Sequence, residues 1–130
     1  MVQNENNKAP FDSSFGTLTV QVSESENAVP IKGALVIVTK DNVGSQTLKG
    51  ALITDDNGIT PPLQLTAPSY EDALDPTETI PYDIYYVRIS HPGYYTEEGH
   101  MVQIFGSSYS HLNINMIPLP EFPQKEVISY

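Results

Sequence analysis

The chain has 130 residues, the size of one domain, and its 16 acidic against 6 basic side chains give a formal net charge of -10. That charge repels phosphate backbones, so nucleic acid is not expected as a partner, and no apolar run reaches the ~18 residues of a membrane-spanning helix. The absence of cysteine excludes disulfides and thiolate chemistry, and the first residues lack the pattern of a secretory signal.

The sequence predicts a succession of β-strands separated by turn signals. In chain order, the predicted strands cover residues 17–23, 35–38, 47–54, 61–65, 82–90, 101–105 and 110–117. In the first, Leu18, Val20 and Val22 alternate with polar residues, which indicates one buried and one exposed face. The second is apolar on both faces, as in a central strand. Prolines restrict the fourth to a sheet edge or an extended connection.

Segments at a spacing of roughly 8 to 12 residues are typical of a small all-β sandwich rather than of helices or βαβ units. We therefore predict a small antiparallel sandwich. The sandwich domain is assigned to residues 16–120, between a polar N-terminal arm over residues 1–15 and a proline-spaced C-terminal tail over residues 121–130.

Two acidic segments bear on cation binding. Asp55, Asp56 and Asn57 precede Gly58, and Asn-Gly favours the mirror-image turns of β-hairpins. Three oxygen-bearing side chains also suit calcium, but the bidentate glutamate of a calcium loop is missing downstream. The acidic loop from Glu71 to Glu78 is predicted to be exposed and solvated. The sequence favours a hairpin and a solvated loop, and it leaves calcium binding open at both.

No pattern in the chain predicts an enzyme. His91, His100 and His111 lack the close spacing that places two metal ligands on one element. The chain also has no Gly-x-Ser-x-Gly elbow, which would mark a hydrolase nucleophile. We therefore expect no catalytic residue, no metal and no cofactor.

Tyrosines crowd the stretch from residue 82 to residue 95. Because side chains alternate along a strand, at least one of the adjacent Tyr85 and Tyr86 should face outward. Tyr85, Tyr86, Tyr94 and Tyr95 are candidates for a surface that contacts protein or glycan; the alternative is that these rings belong to the core.

The two tails are candidates for self-association. An open sandwich has edge strands with unpaired backbone groups, which an extended segment of a neighbouring subunit would satisfy. Phe11 and Phe15 in the N-terminal arm, and Val127, Ile128 and Tyr130 in the C-terminal tail, are the residues suited to this contact.

Taken together, several segments resemble the transthyretin-like or carboxypeptidase-regulatory-like sandwich, in the form found beside clostridial spore cortex-lytic enzymes. They are residues 16–22, 30–36, 54–58, 82–87, 93–95, 102–105 and 115–120. Pro-Ile-x-Gly-Ala-x-Val and the ending Gln-Ile-Phe with Met-Ile-Pro-Leu-Pro are fairly specific in combination. The resemblance implies a seven-stranded antiparallel Greek-key sandwich that serves as an accessory or pro-segment module without chemistry of its own, placed on a bacterial cell or spore surface.

Two functions follow as hypotheses. The leading one is a non-enzymatic structural subunit that self-assembles into a homo-oligomer or fibre on a bacterial cell or spore surface, through sheet edges and tails. The alternative is an accessory or pro-domain of a peptidoglycan hydrolase of the spore cortex that contacts glycan or other cell-wall components.

Overall fold

A computed structural model of the protein describes residues 15–42, 44–68 and 82–120. These residues form eight β-strands and no helix, and so contain no helix long and apolar enough to cross a membrane. In chain order the strands are β1 Phe15–Glu24, β2 Val29–Pro30, β3 Leu35–Asn42, β4 Ser45–Ile53, β5 Leu63–Thr66, β6 Tyr82–Ser90, β7 Glu97–Phe105 and β8 Tyr109–Asn115. The all-β prediction is confirmed. The strand missing from the predicted seven is β2, whose two residues are too few for alternation to be recognised.

The strands form two sheets of four strands each. In sheet A, β1 is central: β2 and β5 pair with it antiparallel along one side, and β8 pairs with it in parallel along the other. Sheet B has the order β4-β3-β6-β7 and is antiparallel throughout. The β1–β8 pair corrects the predicted purely antiparallel arrangement. A parallel pair needs a long crossover, which the strands between β1 and β8 provide.

The hydrophobic core lies between the two sheets. From sheet A, Leu18, Val20 and Val22 are fully buried, which confirms the predicted alternation in β1. Sheet B contributes the inward residues of its two central strands, which are Val36, Val38, Tyr85, Val87 and Ile89. The apolar β3 pairs with β4 on one side and β6 on the other, so its predicted central position is confirmed.

The two sheets approach closely where β1 meets the end of β7. A Cβ atom on Gly16 would lie 2.5 Å from the carbonyl oxygen of Phe105, which leaves no room for a side chain. The amide of Ser107 donates to the carbonyl of Phe15 at 2.7 Å, and the amide of Thr17 donates to that of Ser108 at 2.9 Å. These bonds fasten the β7–β8 turn to the start of β1.

The connection between β4 and β5 carries the chain from sheet B to sheet A. The carboxylate Oδ1 of Asp55 accepts hydrogen bonds from the amides of Asn57 at 2.8 Å and Ile59 at 3.0 Å, which closes the predicted turn. The hairpin prediction is wrong, however, because β4 pairs with β3 whereas β5 pairs with β1. The turn residues fixed the local bend but not the partners of the strands that follow it. Among the described residues β5 pairs with β1 alone, as predicted for an edge strand.

Candidate interaction surface

The sheet edges of the described domain differ in how well each could pair with an added strand. One edge of sheet A consists of β2 and β5, which have two and four residues. Pro30 lies within β2, and Pro61 and Pro62 precede β5. Because proline has no amide hydrogen, and because short strands offer few partners, this edge is poorly suited to strand addition.

Both edges of sheet B contain a β-bulge. The register between β3 and β4 shifts after Val38, which leaves Lys49 as an extra residue in β4. In the same way, Glu98 and Gly99 of β7 together lie opposite Arg88 of β6. Bulges twist an edge, and charged side chains oppose its burial, so both features discourage pairing along sheet B.

The remaining edge, formed by β8, has none of these features. Its seven residues, Tyr-Ser-His-Leu-Asn-Ile-Asn, contain no proline and no Asp, Glu, Lys or Arg. They pair with β1 in an unbroken register from Thr17–Tyr109 to Ser23–Asn115. Among the described residues β8 has no other strand partner. The sequence predicted a strand over residues 110–117 but not its position at a sheet edge, although the uncharged, proline-free run is present in the sequence.

The direction of the backbone groups in β8 follows from the bonds at its two ends. The amide of Thr17 donates to the carbonyl of Ser108, and the amide of Met116 donates to that of Ser23. Successive residues of a strand direct their backbone groups to opposite sides, so the even-numbered residues of β8 face β1. The amides and carbonyls of Tyr109, His111 and Asn113 therefore point away from the sheet.

Exposed large apolar side chains are concentrated on the edge strands. Leu48 and Ile53 on β4, and Met101 and Phe105 on β7, are exposed, and Tyr109 on β8 has 88% of its surface accessible. Within the described residues, the central strands β3 and β6 of sheet B carry none of the exposed large apolar side chains, and the central β1 of sheet A carries only Phe15, its first residue. Scattered exposed apolar residues are ordinary, and those on the edge strands make the sheet edges candidates for contact surfaces.

The outer face of sheet B has a shallow groove of about 350 Å³. It is lined by Ile37, Thr39, Gln46, Tyr86, Arg88 and Glu98, among others. Arg88 Nε and Glu98 Oε2 are 3.3 Å apart in an exposed ion pair, so their charges offset one another beside the half-buried ring of Tyr86. The groove therefore combines an amphipathic aromatic ring with neutral polar groups.

The four candidate tyrosines have different environments. Tyr85 is fully buried, and its hydroxyl donates to the carbonyl of Thr66 at 2.7 Å, so its assignment to a contact surface is wrong. Its neighbour Tyr86 faces outward, because alternation sends adjacent side chains to opposite faces. Tyr94 is half-buried and donates a hydrogen bond to the carboxylate of Glu24, which raises the pKa of the Tyr94 hydroxyl. Tyr95 is exposed in the β6–β7 connection.

Only one of the predicted self-association residues lies in the described part of the chain. Phe15 begins β1, opposite Thr66 of β5, and its ring is exposed. The other predicted self-association residues lie outside the described residues; they are Phe11, Val127, Ile128 and Tyr130. The acidic loop from Glu71 to Glu78 also lies outside them.

The three histidines have separate hydrogen-bond partners. The ring of His91 bonds the carbonyl of Lys32 at 3.0 Å, that of His100 bonds Glu97 at 3.0 Å, and that of His111 bonds Thr19 at 2.7 Å. Across residues 15–42, 44–68 and 82–120, no group of three or more His, Asp or Glu side chains is arranged to hold a metal ion.

Comparison with known proteins gives matches in structure only. No protein-family model and no curated protein sequence matches the chain. The Bacillus anthracis TIE protein is 19% identical with a TM-score of 0.50, over 82% of this chain and 17% of that one. Wild-type Acinetobacter radioresistens catechol 1,2-dioxygenase is 16% identical with a TM-score of 0.57, over 91% of this chain and 55% of that one. A DUF3823 family protein from Parabacteroides merdae is 9% identical with a TM-score of 0.53, over 82% of this chain and 48% of that one.

Likeness at such low identity shows the fold alone. It supports an all-β sandwich, and the dioxygenases show that this fold also occurs in enzymes. The chain spans between 17% and 55% of the length of these three structures.

Proposed function

We propose that this chain is a non-enzymatic structural subunit of a bacterial cell or spore surface, and that it self-associates through its sheet edges and tails. The observation that carries the proposal is the concentration of exposed large apolar side chains on β4, β7 and β8. On β4 and β7, where bulges discourage strand pairing, these side chains favour apolar contact between copies, and on β8 Tyr109 lies beside unpaired backbone groups that favour strand addition.

The transthyretin-like resemblance supports the surface placement and a module without chemistry of its own. The segments that carry it lie on β1, β6 and β7, at the start of β3, in the connections that precede β3, β5 and β7, and in the residues that follow β8. They are therefore drawn from both sheets rather than from one local motif.

Light scattering on the full chain tests self-association. We expect the apparent mass to rise with protein concentration, and we expect Leu48→Lys and Met101→Lys to weaken this rise because each places a charge on an edge. Tyr95→Lys is the matched control, since it makes the same charge change at an exposed aromatic residue outside the strands. A mass that stays monomeric at every concentration would overturn the proposal.

A second candidate function is favoured by the groove on sheet B. An accessory domain of a peptidoglycan hydrolase would use the ring of Tyr86 to stack against a sugar, with Gln46 and Thr39 as hydrogen-bonding partners. The structural neighbours are longer chains than this one, which suits a module that works beside other domains.

Sedimentation of the full chain with purified spore cortex peptidoglycan tests the second function. Tyr86→Ala should lose binding, whereas Tyr95→Ala, at an exposed tyrosine outside the groove, should retain it. Equal sedimentation of both variants would show that the groove is not the glycan-binding site.

A further inference from the structure

We infer that the β8 edge accepts an added strand, and that the donor is the C-terminal segment, residues 124–130, of a second copy of this chain. The inference rests on the proposed self-association and names the two surfaces that meet in it.

The acceptor is defined by its backbone. Tyr109, His111 and Asn113 direct their amides and carbonyls away from β1, in a strand without bulge, proline or net charge. An incoming strand would extend sheet A by hydrogen bonds to these residues, without breaking any bond between β8 and β1. The other edges of the described domain are interrupted by prolines or bulges.

The rim of the core beside β8 is incompletely covered. Leu112 on β8 and Val102 on β7 pack against the core but are only partly buried. A strand added beside β8 would direct alternate side chains toward this rim, because inward and outward positions alternate along a strand. Apolar residues of the donor would therefore extend the core as well as the sheet.

The C-terminal segment has the composition of a donor strand. Residues 124–130 read Gln-Lys-Glu-Val-Ile-Ser-Tyr, with no proline and with one basic and one acidic side chain. Val127, Ile128 and Tyr130 are of the types enriched in strands. The prolines at 118, 120 and 123 precede this segment and favour an extended spacer. Its offsetting side-chain charges matter in a chain of net charge -10, because a strongly acidic donor would be repelled.

The path of the chain after β8 favours donation to a second copy. The amide of Tyr95 donates to the carbonyl of Ile117 at 2.9 Å, and the amide of Leu119 donates to that of Gly93 at 2.9 Å. These bonds hold the chain against the β6–β7 connection of sheet B, whereas the β8 edge belongs to sheet A. The chain has left its own β8 before the donor segment begins. Donation to the next copy is a head-to-tail contact, which produces a fibre or a closed ring.

Complementation between two full-length variants tests the inference. Asn113→Pro removes one outward amide of β8 and leaves the even-numbered residues, which bond β1, unchanged; Asn113→Ala is its matched control. Ile128→Asp together with Val127→Asp places a charge on both faces of the donor. We expect each impaired variant to be monomeric alone, Asn113→Ala to assemble like the parent chain, and an equal mixture of the two impaired variants to form dimers and nothing larger.

The outcomes separate this inference from the proposed function. A parent chain that never associates overturns both. Assembly of the parent and of Asn113→Pro alike overturns only the choice of β8, and assembly of the doubly substituted tail variant overturns only the choice of donor. If circular dichroism shows Asn113→Pro to be unfolded, a synthetic peptide of residues 124–130 replaces it: an excess of peptide should dissolve assemblies of the parent chain, and failure to do so overturns the inference.

Discussion

At the scale of single residues, Thr54 joins the end of β4 to the segment between β2 and β3. Only 3% of its surface is exposed, and its hydroxyl donates to the carbonyl of Ile31 at 2.6 Å and accepts from the amide of Ala34 at 2.8 Å. Backbone groups of buried segments need partners, and here one side chain supplies two of them.

Thr54→Val keeps the shape of the side chain but leaves both backbone groups unpaired in the interior. We expect the free energy of unfolding to fall by about 1–3 kcal/mol, the usual cost of a buried unsatisfied polar group. Urea denaturation measures the loss. Thr96→Val is the control at an exposed threonine, where a change within about 0.5 kcal/mol is expected; equal losses in the two variants would contradict the role of Thr54.

Tyr94 gives the fold a dependence on alkaline pH. Its hydrogen bond to Glu24 raises the pKa of its hydroxyl in the folded state. A raised folded-state pKa contributes stability that is complete below the unfolded pKa of about 10 and is lost as pH rises through the folded-state value. Urea denaturation from pH 8 to pH 11 should show a steeper loss in the parent chain than in Tyr94→Phe or Glu24→Gln. Parallel curves would contradict this prediction.

At the scale of elements, the β4–β5 connection depends on a close approach to β1. A Cβ atom on Gly58 would lie 2.4 Å from the carbonyl oxygen of Val22, and the residue has a φ of 77°. Gly44, in the β3–β4 connection, has a φ of 79° but nothing within 4 Å of such an atom. The two glycines share a backbone conformation and differ in their surroundings.

Alanine substitutions at Gly44 and Gly58 distinguish the cost of backbone strain from the cost of steric overlap. Gly44→Ala should cost about 1–2 kcal/mol, the penalty of the left-handed conformation. Gly58→Ala should cost roughly 1–3 kcal/mol more, since the backbone of β1 has to move. Thermal and urea unfolding of both variants measure the difference. Indistinguishable stabilities would show that the connection does not press against β1 as described.

At the scale of the whole molecule, charge opposes the proposed assembly. Each copy carries a net charge of -10, so two copies repel one another at low ionic strength. The Debye length falls from ~30 Å at about 0.01 M salt to ~3 Å at about 1 M. If β-pairing and apolar contacts hold the interface, self-association measured by light scattering should strengthen over this range. Weakening with salt would indicate an interface held by charge pairs.

Local sequence pattern predicted some features of the fold and of the candidate surface, and others were decided by contacts between distant segments. Alternation around Tyr85 and Tyr86 required one ring to face outward, but only the packing of β6 showed that Tyr85 is the buried one. The turn at residues 55–58 was evident from Asp, Asn and Gly, whereas its role as a link between sheets was not. Turn chemistry fixes a bend over a few residues, and strand partners lie far beyond them.

The amino-acid sequence by itself determined the all-β class, the inward face of β1 and the central position of β3, because side-chain alternation and apolar runs are properties of each strand alone. The tertiary structure decided which strands pair, that β8 lies parallel to β1, and that its far side is free among the described residues. Thr17 and Tyr109 are neighbours in sheet A yet far apart along the chain, and such contacts are set by how two sheets close over a shared core.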